Sequence, residues 1–216
     1  MERAFGICGI LGGLIMALAD ILLDLKGKND TQQGQLHLIH SNWAGMHPTR
    51  FKASICLAAV GAPLQMLGVS AMAMVLSRCS QSFGLAFWLV CLVGLSGSFF
   101  IHTLICLFPV IYHAMQKNYK LDDIDFVINT LYNTVKLPFW MQYLFLVVLS
   151  GLGVIVALCA KLLPLSPWYI LLTPPVLTIV GLGLRALCPK VFYDLPGIVM
   201  PSLGVGAIGL LAVLAL

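Results

Sequence analysis

The chain has 216 residues, 60% of them hydrophobic and only 9% charged, and its mean hydropathy is +1.00. Such a composition excludes a soluble globular domain and reads as an integral, multi-pass membrane protein. The net charge of +4 is spread over loop residues with no basic face, which excludes nucleic-acid binding and leaves the lipid bilayer as the expected partner.

A hydrocarbon core about 30 Å thick needs about 20 apolar residues in a helix. Six segments reach that length, near 4–25, 53–77, 84–113, 138–163, 167–187 and 196–216. Backbone groups in lipid must be satisfied internally, and these runs are too long for barrel strands. The expected fold is therefore all-α, a bundle of six transmembrane helices forming a single domain over residues 1–216.

The first span contains "IMALADILLDL", residues 15–25. Ala17 and Ala19 mimic a signal-peptidase site, so the segment reads either as a cleaved leader or as a retained helix carrying Asp20 and Asp24 one turn apart. Loop charges separate the two. Lys26, Lys28, Arg50, Lys52, Lys117, Lys120, Lys136, Arg185 and Lys190 fall on one side, and Arg3, Arg78 and Lys161 on the other. This asymmetry predicts cytoplasmic long loops with both termini outside, and it requires the first helix to stay. Gly9, Gly13, Ala17, Asp20 and Asp24 then form one stripe of small residues ending in the acid pair, a face against which another helix packs closely. An acid within the bilayer is costly, so Asp20 is expected to face the protein interior with a partner.

The loop that follows holds His37, His40 and His47, together with Trp43, an aromatic suited to the membrane boundary or to contact with a substrate. The second span carries Pro63 and Gln65. In the third, Gly94, Ser98, His102, Pro109 and His113 recur at spacings of 4, 4, 7 and 4, so two small residues, two imidazoles and a helix-perturbing proline share a face. His102 lies near the depth expected for Asp20. Ser98, one turn away, could fix the tautomer of the ring or act as a nucleophile activated by it.

Between the third and fourth spans, Leu121, Ile124, Ile128, Leu131 and Val135 keep helical spacing, with Asp122, Asp123 and Asp125 in the first turn. That pattern predicts a short amphipathic helix lying along the membrane surface. Gln142 opens the fourth span, Thr173-Pro174-Pro175 interrupts the fifth, Arg185 ends it, and Tyr193-Asp194 precede the sixth. A faint likeness between residues 13–25 and 153–165 would make the two halves inverted repeats, as in many transporters. The seven cysteines include no CxxC pair. Five of them, Cys8, Cys56, Cys91, Cys106 and Cys159, lie in apolar runs and read as buried small residues.

Nearly every span thus contributes a polar group at its cytoplasmic end, which predicts a polar cavity open to that side. Two functions fit. The first is a membrane-embedded enzyme, of a hydrolase-like kind, acting on a lipid or small amphiphilic substrate. Asp20, Asp24, His102 and Ser98 would form its catalytic set, with Arg50, Gln142, Arg185, Tyr193, Asp194 and Trp43 contacting substrate. A divalent metal such as zinc would draw on His113, His37 or His40 with the acids, although their spacing matches no zinc motif. The second is a small proton-coupled transporter with Asp20 and His102 as relay. An accessory membrane subunit without catalysis is the remaining alternative.

Overall fold

The computed structural model describes every residue from Met1 to Leu216. Six main helices account for most of the chain: α1 (Glu2–Asp24), α2 (Thr49–Cys79), α3 (Gln81–Met115), α4 (Leu121–Cys159), α5 (Pro174–Leu187) and α6 (Leu195–Leu214). Five of them, all but α5, are long and apolar enough to cross a membrane.

The helix α4 departs from expectation. The surface helix expected over 121–135 and the span expected from 138 are one continuous element of 39 residues. Pro138 does not end it, because a proline within a helix frees a single carbonyl, a local loss that the rest of a long helix absorbs. Six residues later the helix widens into a π turn, Leu144–Leu149, where the Ser150 hydroxyl donates back to the Leu146 carbonyl. Ile124, Ile128 and Val135, the stripe expected to lie on the membrane surface, are buried against the rest of the protein.

The fifth apolar segment is interrupted as well. Residues Pro167–Leu172 form a 3₁₀ helix, and Thr173 is extended (φ −74°, ψ 149°) before α5 begins at Pro174. The cause is local: a residue preceding proline is pushed out of the helical region, and consecutive prolines fit only a helix's first turn. A single turn, Pro189–Phe192, leads from α5 into α6.

Helix α1 sits between α2 and α6 at backbone contact. A Cβ placed on Gly9 would lie 2.4 Å from the Gly68 Cα of α2, and one on Gly13 would lie 2.5 Å from the Gly206 Cα of α6. Only glycine permits such an approach, which is the usual device for helix association in lipid. On one side of this crossing, Met72, Leu76, Phe87, Leu158 and Leu211 belong to the larger apolar core. On the other, Leu23, Trp43, Phe51, Phe108, Ile124 and Ile128 form a smaller one. The candidate site lies between the two.

The loop joining α1 to α2 is ordered by its own polar contacts. Its strands β1 (Gln32–Gln33) and β2 (Ile39–His40) pair antiparallel. Asp30 accepts from His40 Nδ1 at 2.5 Å and from the Asn42 amide at 3.1 Å. Asp125 of α4 accepts from the Gln35 amide at 2.9 Å, pinning the hairpin onto α4. At Gly34 (φ +81°) a Cβ would lie 2.1 Å from the Asp125 carboxylate, so this close seat needs glycine twice over.

Candidate active site in the membrane interior

The glycine contacts of α1 fix what Asp20 meets. Seven residues beyond Gly13, Asp20 stays on the face turned to α6, where Ser202 stands four residues before Gly206. The Ser202 hydroxyl donates to Asp20 Oδ2 at 2.5 Å. Gln65, of α2, donates from Nε2 to the Ser202 carbonyl at 3.2 Å. The other carboxylate oxygen, Oδ1, is 3.5 Å from His102 Nδ1 of α3. The carboxylate and the imidazole expected at similar depth are thus in contact.

His102 is held from behind by Ser54 of α2, whose hydroxyl is 2.8 Å from Nε2. Ser54 Oγ also lies 2.7 Å from the Ala19 carbonyl. A carbonyl only accepts, so the single hydroxyl proton of Ser54 goes to Ala19 and its lone pairs remain for His102 and for the Cys106 thiol at 3.5 Å. Nε2 therefore carries a proton and donates to Ser54, while Nδ1 faces Asp20. A serine on one ring nitrogen and an aspartate near the other has the outline of a nucleophilic triad. Its chemistry is different here, because Ser54 is fully buried, takes no part in lining the cavity and has committed its proton. Ser54 positions the ring.

Asp20 and His102 line a cavity of about 540 Å³, together with Gln65, Ser98, Gln142 and Ser202. This volume falls within the range of small-molecule sites. Apolar side chains such as Ile105, Phe108, Leu146 and Val205 make the rest of the wall, and the mouth carries Asp24, Lys26, His37, Arg185 and Asp194. Two lining residues have buried polar atoms without a partner, Gln142 Oε1 and the Trp43 indole nitrogen. Unpartnered buried groups are uncommon in native structures, and beside a cavity they mark where a ligand or water completes the hydrogen bonding.

The remaining sequence candidates divide. Ser98 is buried and lines the cavity, but it makes no hydrogen bond to His102. Asp24 pairs with Lys26 at 2.8 Å and Arg185 with Asp194 at 2.8 Å, all four at the cavity mouth. Tyr193 stands beside the mouth with the Lys28 ammonium 5.2 Å above its ring. Trp43 lies in the smaller core, 5.9 Å from the Tyr112 ring. Arg50 is outside the cavity: its guanidinium donates to the carbonyls of Ile21 (2.8 Å), Leu22 (2.5 Å) and Leu25 (2.5 Å). These carbonyls lie at the C-terminal end of α1, where a helix runs out of backbone donors; Ile21 also accepts from the Leu25 amide at 3.1 Å, and a planar fork suits the cluster.

For a metal, the residues present do not fit. No three His, Cys, Asp or Glu side chains form a group that could hold an ion. His40 is engaged by Asp30, and His113 lies against Phe51 and Tyr112 with its Nδ1 3.0 Å from Gln116.

Ser54, Ser202 and the Asp30–His40 pair were not singled out from sequence. Ser202 had a signal, as the one hydroxyl in an otherwise apolar final span. Outside the spans, burial of the His40 ring and the charge of Lys26 hold its pKa below the ordinary 6.5, against the opposing pull of Asp30.

One family covers the entire chain, residues 1–216, and is described as a family of unknown function, DUF6796. The protein belongs to it. No curated protein and no solved structure matches this DUF6796 chain.

Proposed function

We propose that this protein is a membrane-embedded enzyme acting on a lipid or other amphiphile that enters from the cytoplasmic side. The observation carrying this reading is the Asp20–His102 contact at 3.5 Å inside a cavity that is polar at its mouth and mixed within. A carboxyl and an imidazole in contact can hold and pass a proton, which is the requirement for general acid–base catalysis. Asp20 is the group offered to substrate. His102 shares its proton, Ser202 orients the carboxylate, and Ser54 fixes the ring. The larger apolar core and the glycine crossing of α1, α2 and α6 fill the end opposite the mouth, an arrangement that favours a one-sided reaction chamber over a conduction path.

The reading includes six membrane crossings. The 3₁₀ helix Pro167–Leu172 and α5 have 6 and 14 residues, and at roughly 2.0 and 1.5 Å per residue they rise together by about 33 Å, enough for the hydrocarbon core. Nine of the twelve basic side chains lie in or beside the stretches 26–52, 114–137 and 185–190, and two of them, Lys26 and Arg185, line the cavity, which supports a cytoplasmic mouth and external termini.

Purified protein in nanodiscs made from total membrane lipid, sampled by mass spectrometry over time, tests the proposal. Wild-type protein is expected to convert at least one amphiphile, and Asp20→Asn to slow that conversion by about 10²–10⁴-fold, the range of a lost acid–base group. Undiminished turnover by Asp20→Asn sinks the proposal. Absence of turnover, accompanied by Asp20-dependent proton flux in proteoliposomes, replaces it with the relay of a transporter.

A further inference from the structure

A second pocket, of about 820 Å³, adjoins the cavity and shares Gln32, His40, Arg185 and Asp194 with it. Its lining is almost wholly polar and holds three cations, Lys28, Arg185 and Lys190, against two acids, Asp30 and Asp194. Both acids are occupied. Asp30 is tied to His40 and the Asn42 amide, and Asp194 is bound by Arg185 Nε at 2.8 Å. Neither lysine is paired with a carboxylate, and the two terminal nitrogens of Arg185 have no partner in the protein. The Lys28 ammonium rests 5.2 Å from the Tyr193 ring centre, a contact that places a cation without neutralising it.

We infer that this pocket is the head-group site of the proposed substrate, and that the substrate is an amphiphile bearing a phosphate. Three cations lining one pocket, one of them a guanidinium with both terminal nitrogens free, match the charge and oxygen geometry of a phosphate better than those of a neutral sugar or alcohol. Because the two pockets share a wall, a head group held by Lys28, Lys190 and Arg185 sends its chain past Asp194 and Arg185 into the partly apolar cavity. There its first carbons approach Asp20, and its tail meets Ile105, Phe108, Leu146 and Val205. This inference rests on the reading of the cavity as a substrate chamber and adds the chemical class of its occupant.

Binding to wild-type protein in phosphatidylcholine nanodiscs, with empty nanodiscs subtracted, provides the test. The probes are dodecyl phosphate, dodecanol and inorganic phosphate. Dodecyl phosphate is expected to bind saturably and at least tenfold more tightly than dodecanol. The double variant Lys28→Ala/Lys190→Ala should erase that preference while leaving dodecanol binding unchanged, and raised salt should weaken only the phosphate arm. Equal binding of dodecyl phosphate and dodecanol, or an unchanged preference in the double variant, overturns the inference. Inorganic phosphate binding as tightly as dodecyl phosphate also overturns it, since the ligand would then be a free phosphate. Turnover that requires Asp20 but ignores head-group charge refutes the head-group site alone. Charge-selective binding without turnover refutes the acid–base reading alone.

Discussion

Replacing Ser54 with alanine removes one oxygen from a fully buried position at which α1, α2 and α3 meet. The Ala19 carbonyl, 2.7 Å away, keeps its own helical bond and loses only a second donor. His102 loses more, because the Nε2 proton held at 2.8 Å is left buried with no acceptor. An orphaned buried donor costs about 1–3 kcal/mol, whereas interhelical hydrogen bonds in membrane proteins average about 0.6 kcal/mol and reach about 1.7. The expected loss for Ser54→Ala is therefore about 1–3 kcal/mol, of which about 0.6–1.7 is specific coupling to His102. Unfolding by dodecyl sulfate in mixed micelles, followed by tryptophan fluorescence, gives the free energies of wild type, Ser54→Ala, His102→Phe and the double variant. A double variant less damaged than the sum of the singles by that coupling supports the argument. Additivity within about 0.3 kcal/mol refutes it and leaves Ser54 as simple packing.

Gly9→Ala places a methyl group 2.4 Å from the Gly68 Cα, so α1 and α2 must separate. The same unfolding assay should show a loss of about 1–3 kcal/mol, the usual cost of overpacking, whereas Gly97→Ala, with nothing within 4 Å of its added atom, should be neutral or stabilising by up to about 1 kcal/mol. Equal effects would contradict the close crossing. The hairpin over the cavity mouth should depend on pH through His40. Since its pKa is held below the ordinary 6.5, protonation favours the undocked loop. Docking is then fully stable above 6.5 and weakens as the pH falls through the lowered value. Hydrogen exchange of the hairpin amides, corrected for intrinsic rates, should accelerate in that window and lose this pH dependence in His40→Gln; unaltered dependence in that variant would point to another group.

Much of the site's raw material is visible in the chain order. Asp20 stands out because a charge in an apolar run needs a reason, and the spacing of Gly9 and Gly13 indicates the face it shares. His102 emerges by the same logic on α3. Spacing along one helix says nothing about the rotation of the helix opposite, so Ser54 and Ser202 become partners only when α2 and α6 are seated against α1. Arg50 illustrates the converse: charge and position alone suggest a ligand for an anion, whereas the tertiary structure spends its fork on the α1 carbonyls.

The membrane character, the helical class and the excess of basic residues in and beside the long loops follow from sequence, because hydropathy and helical periodicity are properties of short stretches. Tertiary structure decided that 121–159 is one helix and that its amphipathic stripe faces protein. It also decided which nitrogen of His102 meets Asp20. Those outcomes depend on which surfaces compete for each face, and a stripe of leucines and isoleucines looks the same whether lipid or another helix covers it.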